Sequence, residues 1–463
     1  MMIEIDKIER VYLLGIGGIG MSALARYFQF IGKKVSGYDK TASSLTLDLE
    51  KEGIAVHYNE DLRCVPTEGE KNSTVIIYTP AVPVDFTEFV YFRDNGFHIY
   101  KRSQILGLLT SGKRCIAIAG THGKTSVTTM TSHLLKQSHV DCFAFMGGIS
   151  KNYGTNLLLP QNNSNFIVAE ADEFDRSFLQ LHPELAVITW MDADHLDIYG
   201  DLASVIKAFS DFVSQIQRGG VLLYKRDLDI DFGWNTGIRY FSYSISKDAD
   251  YQATSIRILD GAYHFDLKTP MGEIKNLCLT YPGLMNVENA VAACAMALLS
   301  GVTEDEIRAS LPSYSGVVRR FDIQFTGKKT IYIDDYAHHP RELEATIHSV
   351  RDLYPGRRIT GIFQPHLFSR TRDFAQDFAS ALDLLDDALV MEIYPARELP
   401  IVGVTSDIIL SKMKLKSRVR CQKTDFPQIL DQYHPEILLT LGAGDIDRLV
   451  APIVSYLIKK EDV

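Results

Sequence analysis

The sequence predicts an α/β protein of three domains: a Rossmann-like N-terminal domain, a central domain of the P-loop ATPase type, and a C-terminal Rossmann-like α/β domain. Three observations predict it. Two apolar runs, at 11–14 and 116–119, each end in a glycine turn that opens a helix. Beyond residue 316, strand and helix patterns alternate again. And 463 residues are more than one hydrophobic core serves. The domains are expected at 1–107, 108–315 and 316–463.

The first run leads into Gly15-Ile16-Gly17-Gly18-Ile19-Gly20, with a helix expected from Met21 to about Gly32. Gly15, Gly17 and Gly20 fit G-x-G-x-x-G, and a strand at 34–38 delivers Asp39, 19 residues past Gly20. This is a dinucleotide fingerprint, with Asp39 placed for a ribose hydroxyl. What the turn requires physically is a diphosphate on a helix N-terminus, and a UDP-sugar carries one as NAD does. On these residues alone an NAD-dependent oxidoreductase stays open. A strand at 74–78 and a strand–helix unit over 90–107 complete the domain.

The second run continues as Gly120-Thr121-His122-Gly123-Lys124-Thr125-Ser126, with a helix expected from Ser126 to about Gln137. Backbone N–H groups and a helix start surround an anion in such a loop. Lys124 would place its charge on the outer phosphates, and the Thr125 hydroxyl would face magnesium. Ile118 stands where the full pattern has its first glycine. An ATP site follows. Strands at 143–146, 166–169 and 185–189 come next, and the middle one delivers Glu170-Ala171-Asp172-Glu173-Phe174-Asp175. Acidic loops are commonly just solvated, but strand C-termini line the ligand crevice of an open sheet, and magnesium takes carboxylate oxygens. Glu170, first off the strand, is the best candidate. The strand at 185–189 runs on to Asp192-Ala193-Asp194-His195, where His195 is either a second metal ligand or a helix cap. Residues 148–156 read as a polar glycine loop, and 219–280 as alternating β segments. In the helix that follows, to about Leu299, Asn286 is a candidate N-cap and Asn289 a candidate for an adenine edge.

In the last region strands are expected at 330–333, 358–363, 387–393 and 436–441, with helices at 340–353, 372–385 and 446–458. Each strand ends in a polar or glycine cluster: Asp334–Pro340, Gln364–Arg370, Tyr394–Glu398 and Gly442–Ile446. Arg319 and Arg320 sit at the junction with the central domain, where an arginine reaches bound phosphates or is simply a surface residue.

Composition narrows the classes. A 46% hydrophobic and 23% charged chain is ordinary for a globular protein, and a net charge of −10 argues against a nucleic-acid binder. Six scattered cysteines form no C-x-x-C pair, so neither a zinc site nor a disulfide framework is indicated. No secretory leader and no apolar run of about 18 residues stands out, which predicts a cytoplasmic protein without a membrane partner.

Read together, GIGGIGMSALA from Gly15, GTHGKTS from Gly120, EADEFDRSF from Glu170, DADHLDIYG from Asp192, RRF from Arg319, DDYAHHP from Asp334, FQPHLFSRT from Phe363, YPARE from Tyr394 and GAGDI from Gly442 resemble the Mur ligases of peptidoglycan synthesis over essentially the whole chain. DDYAHHP with FQPHLFSRT is similar to the branch that adds L-alanine to UDP-N-acetylmuramate and to its relative, the murein-peptide recycling ligase. The uninterrupted run from Glu170 to Ser177 favours the former. The resemblance implies an ATP-dependent carboxylate–amine ligase, a monomer or weak homodimer, using ATP and Mg2+. It implies a first domain holding the UDP-sugar through Gly15, Gly17, Gly18, Ile19, Gly20 and Asp39. Gly120, Thr121, His122, Gly123, Lys124, Thr125 and Ser126 would hold the ATP phosphates, Asn289 and Asp335 adenine and ribose, and Arg320 a phosphate. Thr125, Glu170 and His195 would hold the metals, and His338 and Arg370 would lie near the reacting carboxylate and alanine. Trp190 and Met285 depart from the family's usual asparagine and histidine.

Overall fold

A computed structural model describes residues 5–192, 196–228, 236–396 and 398–461. It forms two compact units, Met1–Ile256 with His264–Cys278 and Glu288–Tyr314, and Arg257–Tyr263 with Leu279–Val287 and Ser315–Val463. Among the described residues the strands make three sheets.

The first sheet comprises β1 (Arg10–Leu14), β2 (Lys34–Tyr38), β3 (Ala55–His57), β4 (Thr74–Tyr78) and β5 (His98–Lys101), in the order β3-β2-β1-β4-β5. All its pairings are parallel. Val11–Leu14 and Val75–Ile77 are buried on both faces, which is why they read as unbroken apolar runs. The chain winds outward from β1 in both directions, so the turn after β1 sits at the topological switch point, where open sheets bind ligands. Helices α1 (Ile19–Phe30), α2 (Ser44–Lys51), α3 (Thr87–Asp94) and α4 (Arg102–Thr110) complete this region. α1 starts two residues earlier than expected, at Ile19, directly off the glycine turn.

The second sheet repeats the device. Its strands are β6 (Arg114–Ala119), β7 (Phe143–Ser150), β8 (Thr155–Leu158), β9 (Phe166–Glu170), β10 (Leu185–Ile188), β11 (Val221–Lys225), β12 (Arg239–Ser244), β13 (Tyr251–Leu259), β14 (Ala262–Thr269) and β15 (Gly272–Leu279). β6 lies between β9 and β10, again a switch point, and α5 (Lys124–Lys136) leaves it. α5 begins at Lys124 rather than Ser126, so the lysine itself stands in the helix's first turn. Cys115–Ala119, Val168–Ala169 and Ala186–Ile188 are buried outright, each fully buried valine or isoleucine side chain contributing about 1.5–3 kcal/mol. The segment 148–156 is not mainly a loop. β7 runs through Ser150, pairs antiparallel with β8, and leaves only a short turn. Asn156, in β8, is buried, donates to Ile19 O and Ser22 Oγ (2.5 and 2.9 Å) and accepts from Arg26 Nη1 (2.5 Å), tying this hairpin to α1.

The third sheet orders β16 (Asp322–Thr326), β17 (Ile331–Asp335), β18 (Ile359–Phe363), β19 (Asp387–Val390), β20 (Arg418–Arg420) and β21 (Ile437–Leu441) as β16-β17-β21-β18-β19-β20. Only β16 is antiparallel to its neighbour. Two expected helices are broken. Phe374, at φ −111° and ψ 19°, separates Phe368–Asp373 from Ala375–Leu382. A 3-10 turn over Asp445–Leu449 precedes the helix Val450–Glu461, whose first turn holds Pro452, where a missing N–H costs nothing. Among the described residues no helix is long and apolar enough to cross a membrane, and all six cysteines are free thiols.

Candidate functional site

The turn after β6 is moored to the chain that leaves β10. Gly120 has φ +134°, and a Cβ there would collide with Thr189 Oγ1, so only glycine serves. The Thr189 hydroxyl reaches Ala119 O (3.1 Å) and His122 O. Thr121 N donates to Trp190 O (2.9 Å), Asp192 N to Thr121 Oγ1 (3.1 Å), and His122 Nε2 pairs with Asp192 Oδ2 (3.1 Å). Gly123, at φ +81°, caps α5, and Asn289 Oδ1 lies 3.1 Å from where its Cβ would stand. That brings the helix Leu284–Leu299 beside the turn. Ser126 is buried, and its carbonyl accepts from Tyr314 Oη at 3.5 Å. Asn286 is not an N-cap: it lies inside that helix and donates its Nδ2 back to Pro282 O (2.6 Å).

Two acids from the end of β9 meet this turn. Thr125 Oγ1 donates to Glu170 Oε1 (3.1 Å), and Gly147 N to Glu170 Oε2 (3.1 Å). A hydroxyl and a carboxylate side by side are the hard oxygen donors magnesium takes, so this pair fits such an ion. Lys124 Nζ donates to Gly120 O (2.6 Å) and lies 2.9 and 2.7 Å from the two carboxylate oxygens of Glu173. Burial pulls the Lys124 pKa down, but Glu173, Asp172 and Glu170 outweigh it and hold it above its ordinary value. Glu173 was only one of four acids in the sequence, and nothing in their spacing singled it out. His195 lies outside the described residues. At the departure from the family pattern, Lys225 Nζ stands 4.0 Å over the Trp190 ring while pairing with Glu288 (2.8 Å).

The turn after β1 is spare by comparison. Gly15 N and Ile16 N donate to Tyr38 O (2.8 and 3.0 Å), closing the turn onto β2. Gly18 caps α1 without a side-chain bond, and the N–H groups of Ile19 and Gly20 open the helix, where no intrahelical acceptor exists for them. These are the natural anion donors. Asp39, expected to face a ribose, accepts from Gly17 N through Oδ2 (2.8 Å) and from Thr41 N through Oδ1 (3.2 Å), so it also braces the turn. Arg102, at the start of α4, pairs with Asp172 (3.3 Å), and Lys101 with Asp175 (2.8 Å).

In the second unit, Asp334 and Asp335 prove to be buried strand residues, not loop residues after β17. Asp334 pairs with Arg319 (3.0 Å) and accepts from Thr440 (2.6 Å). Asp335 accepts from Phe321 N (3.2 Å), Ala337 N (2.9 Å) and Thr346 Oγ1 (2.9 Å). Burial lifts its pKa to about 6 in spite of Arg320. The Arg320 guanidinium lies 5.0 Å from the Tyr336 ring centroid and 3.7 Å from Glu342. His338 Nδ1 contacts Tyr336 O (2.9 Å) and Glu342 (3.3 Å), and its ring meets that of His366 edge-on at 6.0 Å. Arg370 is buried in the helix Phe368–Asp373. Gln364 joins two strand ends, donating to Asp445 (2.8 Å) and accepting from Ile446 N (2.9 Å), a brace the sequence did not single out.

Comparison with known proteins gives matches along the whole chain. Residues 10–114 match the Mur ligase family, catalytic domain; residues 118–297 the Mur ligase middle domain; and residues 319–442 the Mur ligase, glutamate ligase domain. The chain is 48% identical to a UDP-N-acetylmuramate–L-alanine ligase of Phocaeicola vulgatus, covering 99% of this chain and 100% of that protein. It is 50% identical to one of Porphyromonas gingivalis, covering 97% and 99%. The solved UDP-N-acetylmuramate-alanine ligase of Thermotoga maritima superposes with a TM-score of 0.81 at 25% identity, covering 97% of this chain and 99% of that one. A murein peptide ligase of Psychrobacter arcticus shares the fold, with a TM-score of 0.68 at 21% identity over 97% and 98% of the two chains.

Proposed function

The chain belongs to the Mur ligase family, and from that premise we propose that it joins L-alanine to the lactyl carboxylate of UDP-N-acetylmuramate, consuming ATP and releasing ADP and phosphate. The observation that carries this reading is the pair of phosphate-type turns, after β1 and after β6, within one compact unit. A dehydrogenase would use the first and leave the second without a task. Full-length relatives at 48% and 50% identity bear the name of this activity.

In this reading the helix start at Ile19 and Gly20 takes the UDP diphosphate, and Asp39 a ribose hydroxyl. Gly120–Ser126 wraps the ATP phosphates, Asn289 reads adenine, and Lys124 neutralises charge that grows on the γ-phosphoryl group during transfer. Thr125 and Glu170, with His195, would hold Mg2+, which supplies Lewis-acid neutralisation of the phosphate oxygens. The carboxylate attacks the γ-phosphorus to give an acyl phosphate. The alanine amine then attacks that carbonyl and phosphate leaves. In the second unit Arg320 and Asp335 serve the nucleotide, and His338 and Arg370 the alanine and the reacting carboxylate. The enzyme is proposed to act in the cytoplasm, as a monomer or weak homodimer.

The test is ADP release with UDP-N-acetylmuramate and a panel of amino acids and murein peptides. L-Alanine should stimulate it most. Stimulation by the tripeptide instead would make this the recycling ligase, and NADH binding without response to the UDP-sugar would restore the oxidoreductase.

A further inference from the structure

Lys124 stands in the first turn of α5, where the helix dipole disfavours a cation, and is largely buried. A desolvated ammonium there needs a counter-charge even when no phosphate is bound. Glu173 provides it, with both carboxylate oxygens within 2.9 Å of Nζ and a side chain 1% exposed. The backbone that carries this carboxylate is held in place from several directions. Tyr199 Oη donates to Glu173 O (2.6 Å), and Arg176 N closes a turn onto the same carbonyl (2.9 Å). Asp175 and Arg176 both take φ +53°, an unfavourable conformation for residues with side chains, which persists only where surroundings impose it. Asp172 and Asp175, on either side, are pinned by Arg102 and Lys101.

A phosphate that binds the turn after β6 and a carboxylate fixed at Glu173 claim the same ammonium. We propose that Glu173 is a positioning residue that acts as an internal competitor of the nucleotide. It holds Lys124 in place in the empty enzyme, gives up part of its hold to the β- and γ-phosphates, and takes the lysine back as ADP departs. The rigid turn means that the counter-ion returns to one place. Nucleotide affinity is thereby set below what the phosphate loop alone would give, and product release is faster. The inference rests on the reading of this turn as the ATP site.

The test is calorimetry of ADP, without metal, on the full chain. Glu173→Gln keeps the side chain's size and removes its charge, so ADP should bind about fivefold or more tighter, since a charge-assisted competitor is gone. Its dissociation rate should fall by a similar factor. Glu173→Asp sits one methylene short of Lys124 and should show a smaller gain of the same sign. In a Lys124→Ala background the Glu173→Gln gain should disappear. A purely structural Glu173 would weaken ADP binding on substitution, and unchanged or weaker binding by both variants overturns the proposal. So does an equal gain with and without Lys124, which would mean plain repulsion of the phosphates. Failure of the unsubstituted chain to bind ADP at all would instead overturn the ATP-site reading.

Discussion

The two glycine turns hold alike places in their sheets and differ in chemistry. Each follows the strand at which its sheet reverses winding, and each opens a helix. After β1 the loop itself offers N–H groups, one of them, Gly17 N, already given to Asp39, and the cation beside it is Arg102 against Gly20, which comes from α4 and not from the loop. After β6 the loop adds a buried ammonium and a hydroxyl set against a carboxylate. A group that is only held needs the first kind of turn. A group that is transferred needs charges that bind it more strongly in the transition state than before. The buried acids nearby differ in the same sense. Glu173 faces a lysine, whereas Glu88, in α3, accepts from the Tyr12 hydroxyl (2.6 Å) and from the Asp61 backbone and lies 3.4 Å from the His57 ring, and burial lifts its pKa to about 7.

The comparison breaks hardest at Lys124. Lys124→Ala should lower kcat by about 10²–10³-fold or more while leaving UDP-N-acetylmuramate affinity close to normal, and the melting temperature should fall because Glu173 is left buried without its counter-charge. Steady-state ADP release and calorimetry decide it, and near-normal turnover would mean that the second turn is as passive as the first. Next in size, Glu170→Ala should raise the magnesium needed for half-maximal activity by at least about tenfold, because one of two facing oxygen donors is lost. A magnesium titration with the same midpoint would remove Glu170 from the metal site. A milder and opposite signature is expected at the first turn. A Cβ at Gly17 would press on Thr46 and on the Asp39 carboxylate. Gly17→Ala should therefore raise KM for UDP-N-acetylmuramate about tenfold with KM for ATP unchanged. Equal changes in both would show that the two turns are not separate in function.

How far the sequence reaches follows the same physics. Parallel strands buried on both faces leave apolar runs that no polar residue interrupts, so β1, β6, β9 and β10 were legible. β20 was not, because Arg-Val-Arg is exposed along its whole length and carries no pattern. β16, an antiparallel edge strand only half buried, was missed for a related reason. α2 was not legible either, because Ser43 exchanges its capping bonds with Thr46, where the sequence signature of a capping box has Glu or Gln. Within the site, Thr125 and Glu170 could each be picked out as a candidate past the C-terminal end of a strand, but the pairing of β6 with β9 that brings them together is seen only in the structure. The choice of Glu173 over Asp172 and Asp175 was not legible. It depends on two left-handed residues and on Lys101 and Arg102, cations far upstream in the chain.

The smallest expected effect tests the second buried acid of the comparison. Glu88 is fully buried, with Tyr12 and His57 against it and Glu60 and Asp61 adding negative charge, and its pKa of about 7 exceeds the ordinary 4.5. Between those values the native protein keeps a proton that the unfolded chain has lost, so stability falls as pH rises through the window and levels off above it. His57, whose pKa burial lowers, contributes a slope of the opposite sign that fades above its ordinary value of 6.5. From pH 6.5 to 8 the Glu88 slope is the larger of the two. Across that range the melting temperature should drop by about 1 °C. Glu88→Gln should flatten that slope, since an amide makes the same contact with Tyr12 without a proton to lose. If Glu88→Gln leaves the slope as it was, the acid is already ionised at neutral pH, and the contrast with Glu173 lies in geometry and not in charge.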